Sequence, residues 1–314
     1  MRGIRYLSIT MVAVILFITA GGCGERMGGE PENAETETDY SYENNRIFGE
    51  VGDTAAALTG KITIDGLGTF TFDPREVTTI REDIFRNGYF SIFDVLVHLE
   101  QKELIEIDYY FDEDMNTYVI NNLDGYSSWW YDAFYDGGWP ERSVFRMDHY
   151  PYKDKMVLNL VRTTNDYINS VYNTYRDEVR RRNQNGGKMI VTEVIIELKN
   201  ETLVFENVEV KAHNLRSDMF QPGVITAIDT ILSLAEEEKI SYDLQWYESI
   251  GTAGIVKSYW VNRINDNISE GRCGFVYEAG DEEFYFFRGN HNHIPSDVRV
   301  INSPQYVKYF WICI

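Results

Sequence analysis

The sequence predicts an α+β chain in which one small module, a β-hairpin followed by a crossing helix and further strands, occurs twice. Three observations carry this. The stretch Arg81 to Leu99 recurs at Arg216 to Leu234, at an offset of 135 and without a gap. Each stretch follows two short runs of alternating apolar and polar residues around a tight turn. Each is followed by several more alternating runs, the period of half-buried strands.

The matched positions have physical roles. The two stretches share Arg81/Arg216, Asp83/Asp218, Phe85/Phe220, Gly88/Gly223, Asp94/Asp229 and Leu99/Leu234. Ser91 with Asp94, and Thr226 with Asp229, each form an S/T-x-x-D start signal, the hydroxyl accepting from an orphan amide and the acid sitting at the positive helix end. Ile92, Leu96 and Leu99, like Ala227, Ile231 and Leu234, then recur at helical spacing and predict one apolar stripe.

In the first copy, Lys61–Ile64 and Thr69–Phe72 flank Asp65-Gly66-Leu67-Gly68, a hairpin signal. The helix runs from Ser91 to about Gln101, strands follow at 105–111, 118–122 and 129–135, and the last lies at 156–161. In the second copy Val194–Leu198 and Thr202–Phe205 make the hairpin. The helix runs from Thr226 to about Glu238, and strands lie at 242–246, 259–261, 275–277 and 306–312. One helix crossing a mixed sheet after an initial hairpin is the β-grasp arrangement, and about 100 residues suffice to close it. Between the copies, Asn165 to Arg182 puts Ile168, Val171, Tyr172, Tyr175 and Val179 on one helical face and predicts a spacer helix packed on one or both domains; a helix lying on a membrane is the alternative.

The front end reads differently. Arg2 and Arg5, the apolar run Met11–Ile18 and Ala20-Gly21-Gly22 before Cys23 have the layout of an export signal. The segment resembles a bacterial lipoprotein signal, which implies lipidation of Cys23, a membrane anchor and an extracytoplasmic location; an ordinary secretory signal is the plainer reading. Residues 23–57, rich in Gly, Glu, Asn and Thr, predict a flexible acidic tether. The expected organisation is a signal at 1–22, the tether at 23–57, domain one at 58–162, the spacer at 163–188 and domain two at 189–314.

The chain carries 29 basic and 50 acidic residues, and without Arg2 and Arg5 the balance is 27 against 50. So acidic a surface repels phosphate backbones and excludes nucleic acid as the expected partner. Besides Cys23, Cys273 and Cys313 remain, an even number in an oxidising compartment, able to form a disulfide or to stand as two buried thiols.

The capped helix Ser91–Leu96, the run Tyr118–Gly125 and Trp129-Trp130-Tyr131 resemble the transcobalamin-like C-terminal domain. The resemblance covers about 100 residues of each copy. It implies a β-grasp-like fold and, in the animal relatives, one side of a corrinoid site. In the second copy the Trp-Trp-Tyr run becomes Phe275-Val276-Tyr277, and no helical barrel accompanies either copy.

Among candidate site residues, Tyr126, Trp129, Trp130, Tyr131 and Trp139 are expected to fill the core with one strand face and to offer a ligand-stacking surface with the other. His291 and His293, with Asp281, Glu282, Glu283 and Asp297 near in sequence, are weak metal candidates; a solvated loop is the plainer reading. Asp112, Glu113, Asp114 and Asn116 carry calcium-type oxygens without the glycine and distal glutamate of the twelve-residue calcium loop. No nucleophile elbow, phosphate-binding glycine loop, paired metal-ligand cysteines or zinc-protease helix occurs. The expected function is therefore non-catalytic: a lipid-anchored protein capturing a small ligand, a corrinoid among the options, or adhering to a glycan or other surface polymer. A structural role through contacts with envelope proteins is the alternative, and a carboxylate-dependent hydrolase the more distant one.

Overall fold

The computed structural model describes residues 59–134, 145–248, 256–281 and 294–313, all within one compact unit, Ser41–Ile314. The lipoprotein signal, Cys23 and the tether lie outside the described residues. The fold is α+β. Among the described residues, no helix is long and apolar enough to cross a membrane.

The first half opens with β1 (Gly60–Ile64) and β2 (Gly68–Phe72), paired antiparallel. Gly66 and Gly68 adopt φ of 78° and 113° in the turn, a region that only glycine enters without strain. Ile62 and Ile64 are buried while Lys61 and Thr63 face water, as the alternation predicts. Helix α1 (Ile92–Gln101) begins at a complete capping box: Ser91 Oγ accepts from the Asp94 amide, and Asp94 accepts from the Ser91 amide.

The single apolar stripe predicted for α1 understates its burial. Every residue from Ile92 to Leu99 is buried, because three elements cover it. The sheet lies on one side, and the Tyr150–Tyr152 segment takes the Ile92 amide on another. On the third, Phe93 stacks on Tyr118 with ring centroids 5.4 Å apart. Full burial of Val95, Leu96 and Leu99 contributes about 1.5–3 kcal/mol each.

Strands β3 (Ile107–Asp112) and β4 (Thr117–Leu123) form a separate antiparallel pair. Then β5 (Trp129–Phe134) and β6 (Val157–Arg162) return to the main sheet, whose order is β2-β1-β6-β5, with β1 and β6 parallel.

Helix α2 (Asn165–Gln184) follows, its N-cap Thr164 accepting from the Tyr167 amide. The second half repeats the element order. Strands β7 (Ile190–Glu197) and β8 (Thr202–Glu209) form the hairpin, and helix α3 spans Asp229–Glu236. Strands β9 (Tyr242–Tyr247), β10 (Ser258–Ile264) and the two-residue β11 (Asn267–Ile268) form the side sheet. Strands β12 (Cys273–Gly280) and β13 (Tyr306–Cys313) complete a sheet ordered β8-β7-β13-β12, with β7 and β13 parallel. Strand order and direction are thus the same in both main sheets.

Helix α3 starts three residues later than its signal predicts. The Thr226 hydroxyl and amide both donate to the Asp229 carboxylate, and the Ala227 amide donates to Arg299 O, so residues 226–228 form a turn held from outside the helix.

The halves also share an interior. Met219, Phe220, Ile294 and Val298 of the second half belong to the apolar core of the first.

Candidate functional site

Both halves are locked by the same buried ion pair. In the first, Arg81 donates to Asp83 and Asp148, while the Thr117 hydroxyl and the Tyr118 amide also donate to Asp148. In the second, Arg216 donates to Asp218 and Asp297, and the Tyr259 amide donates to Asp297. Each arginine also donates to the carbonyl of a left-handed residue, Asn116 with φ 49° and Lys257 with φ 45°. Burial opposes the charge on Arg81 and Arg216, but their paired carboxylates more than offset it and hold both above the usual arginine value. These acids are committed to structure.

The aromatic surface expected on β5 is corrected. Trp129, Trp130 and Tyr131 are all core residues. Trp129 and Tyr131 face inward by alternation, and the Tyr131 hydroxyl donates to Phe145 O at 2.7 Å. Trp130 faces the other way and is covered by α2: the rings of Tyr172 and Tyr167 meet it at 5.9 and 6.3 Å. Tyr126 alone of the described set is exposed, with the Arg162 guanidinium 4.9 Å from its ring centre. Trp139 lies outside the described residues.

The spacer helix packs on both halves. Arg146 pairs with Glu178 and stacks on Tyr175 in the first half. At the other end, Arg181 donates to Ser303 O and Arg182 to Asn302 Oδ1 in the second.

The metal candidates divide. His291, His293, Glu282 and Glu283 lie outside the described residues. Asp297 is spent on Arg216, and Asp281 lies 3.4 Å from Arg181. In the turn at 112–116, Asp112 accepts from the Met115 amide and the Asn116 side chain from Arg81, so two of the candidate calcium oxygens are engaged within the protein. Among the described residues, no group of three or more histidine, cysteine or acidic side chains is placed to hold a metal ion.

Cys273 and Cys313 form a disulfide, directly opposite each other on β12 and β13. Beside it opens a groove of about 540 Å³ between the β9–β11 sheet and the edge strand β12. Gln245, Tyr247, Trp260, Asn262, Val276 and Ile312 line it, with Glu270 and Arg272 at the rim. Glu270 is paired to Lys199 at 2.8 Å. The Trp260 indole N–H has no acceptor among the described residues. The volume lies within the range of pockets that hold small molecules or side chains of a partner.

A second, polar hollow of about 220 Å³ lies between the halves, lined by Arg81, Asn116, His149, Arg182 and Asn302 among others. On the other side of the contact between the halves, Lys153 is fully buried, its Nζ donating to Val256 O at 2.7 Å and to Ser258 Oγ at 3.2 Å. The equivalent of Lys153 is the shorter Asn302, at the same offset of 149 that relates Asp148 to Asp297. One side is plugged by a lysine and the other keeps a small void.

The groove was not legible in the sequence. Its signal is the exchange of Trp130 for Val276 at matched positions, which has meaning only once α2 is known to cover the former. Comparisons of the chain with protein-family models, with curated proteins and with solved structures give no match.

Proposed function

We propose that the chain is a non-catalytic, lipid-anchored extracytoplasmic binding protein, built on two β-grasp-like domains, whose second domain takes its ligand in the groove beside the disulfide. The β-grasp reading is supported by the shared order of hairpin, crossing helix, side hairpin and a last strand parallel to the first. Lipid anchoring is supported by the signal-like run that ends at Cys23.

The observation that carries the binding reading is the groove: a largely apolar wall with a few polar groups, Gln245, Asn262 and the Trp260 N–H, able to fix an orientation. The buried acids Asp94, Asp148 and Asp297 serve a helix start and the arginine pairs and do not line this groove, and Glu270 in its lining is paired to Lys199, which favours capture over turnover. A corrinoid, suggested by the resemblance to the transcobalamin-like domain, belongs among the ligands to test.

The test is a thermal-shift screen of the purified full chain against corrinoids, haem, glycans and divalent cations, with Trp260→Ala in parallel. A ligand bound only by the native state at a hundred times its Kd stabilises by about 2.7 kcal/mol. The expected result is a shift in the wild type that Trp260→Ala abolishes. A shift unaffected by that change moves the site elsewhere.

A further inference from the structure

Each half has a trough on its outer face, between the side hairpin and the edge strand of the main sheet. Strand register matches the two troughs residue by residue. Asp112 pairs with Thr117 and Tyr247 with Ser258 at the same place in their hairpins. Tyr131 and Tyr277 both donate to the carbonyl that follows their loops, Phe145 O and Ile294 O. On this match Tyr110, Asp112, Ser128 and Trp130 correspond to Gln245, Tyr247, Gly274 and Val276.

Two residues of the first set, Ser128 and Trp130, contact α2, and Tyr110 and Asp112 are close enough for their charge to act on its Tyr172. The Ser128 hydroxyl donates to Asn165 Oδ1 at 2.5 Å. Trp130 packs edge-on against Tyr167 and Tyr172. The Tyr172 hydroxyl is pushed up, first by burial and then by neighbours that include Tyr110 and Asp112. All four residues of the second set line the open groove. The chain thus shows on itself what fills such a trough: the first three turns of an amphipathic helix.

Building on the groove as the binding site, we infer that its occupant is an α-helix of another envelope protein, laid in as α2 is laid into the first half. The wall specifies its shape. Trp260 stands where the first trough has Val119, and Val276 where it has Trp130, so the bulk has moved from the edge strand to the side hairpin. The incoming helix therefore presents a large residue to Val276 and a small one to Trp260, on a stripe of positions three and four apart. A tyrosine hydroxyl or main-chain carbonyl of that helix supplies the acceptor that the Trp260 N–H lacks.

The probe is a labelled peptide of this chain's own residues 164–185, titrated into the purified full chain by fluorescence anisotropy. A photo-crosslinker replaces Tyr172 in a second version. Saturable binding is expected, weakened at least tenfold by Val276→Asp or Trp260→Ala, with crosslinks to residues 245–276. Thermal melts establish that both variants fold, and the crosslink map on the wild-type chain decides the matter if either does not. No saturable binding, or crosslinks confined to residues 110–130, overturns the inference. If a small molecule from the thermal screen binds in a Trp260-dependent way while the peptide does not, only the helical occupant is lost. If neither binds, the groove reading falls too.

Discussion

Phe85 meets Phe220, its own counterpart in the second half, with ring centroids 5.6 Å apart and a mutual antiparallel bridge. The contact is two-fold in character. The Arg86 amide donates to Met219 O at 2.8 Å and the Gln221 amide to Ile84 O at 2.8 Å, and these four residues are counterparts in pairs. Even the side chains follow the rule, since Arg86 Nε donates to Phe220 O and Gln221 Nε2 to Phe85 O. Equivalent surfaces facing each other in this way form an isologous contact, the kind a symmetric dimer makes, here enclosed within one chain.

That geometry predicts coupled mutants. Phe85 is 1% and Phe220 4% exposed, so either change to alanine should destabilise by about 3–5 kcal/mol. Because the rings touch, the double change should cost less than the sum, by about 0.5–1.5 kcal/mol. Urea unfolding of the four proteins measures both quantities. Strict additivity would show that the rings do not act together.

Trp130 separates a core role from a binding role. As a side chain sandwiched between sheet and α2, its replacement by alanine should cost about 3–5 kcal/mol of stability. Trp260→Ala, at a half-open groove wall, should cost far less. Circular-dichroism melts compare the two. A Trp130→Ala protein with wild-type stability would contradict the packing of α2.

What the sequence made legible was local. The Asp65–Gly68 turn, the Ser91–Asp94 cap, the strand alternations and the Tyr-rich face of α2 depend on neighbours within a few residues, and they emerged where expected. The burial of Trp130 depends on where α2 lands, and a period of two says only that a strand has two faces, not what covers the second. The arginine locks were hidden for a related reason. Arg81 and Arg216 matched at an offset of 135, but their partners Asp148 and Asp297 lie 67 and 81 residues onward. The two halves differ in loop length between them, so an ungapped comparison cannot align the acids. The groove arises from the same non-local step, being a place where no described helix repeats what α2 does.

The disulfide gives a third prediction. Cys273 and Cys313 are 40 residues apart in sequence, and closing a loop of that length restricts the unfolded chain by about 4 kcal/mol in the chain-entropy model. Cys273→Ser with Cys313→Ser should lower stability by about 2–4 kcal/mol, read by urea unfolding. The bond also holds one end of β12, the groove's edge, so ligand binding there should weaken in the same variant. An unchanged unfolding midpoint would show that the crosslink adds nothing to the fold.

Lys153 predicts an unusual dependence on pH. Burial pulls its Nζ down from 10.5 to about 7, the Arg216 charge adds to this, and the Asp297 carboxylate opposes it. Between about pH 7 and 10.5 the unfolded chain therefore holds a proton at this site that the folded chain has released. Stability must rise with pH across that window, by at most about 1.4 kcal/mol per unit from this one group. Below about pH 7 the ammonium is carried in both states and the burial penalty is constant. Lys153→Met removes the titration and keeps the bulk. The variant should gain most over the wild type near pH 6.5 and lose that advantage by pH 10, where the neutral amine still donates to Val256 O and Ser258 Oγ. Urea unfolding of both proteins from pH 6 to 10 measures the difference. A gap between them that stays constant, or widens as the pH rises, would mean that Lys153 is not the group buried in its neutral form between the halves.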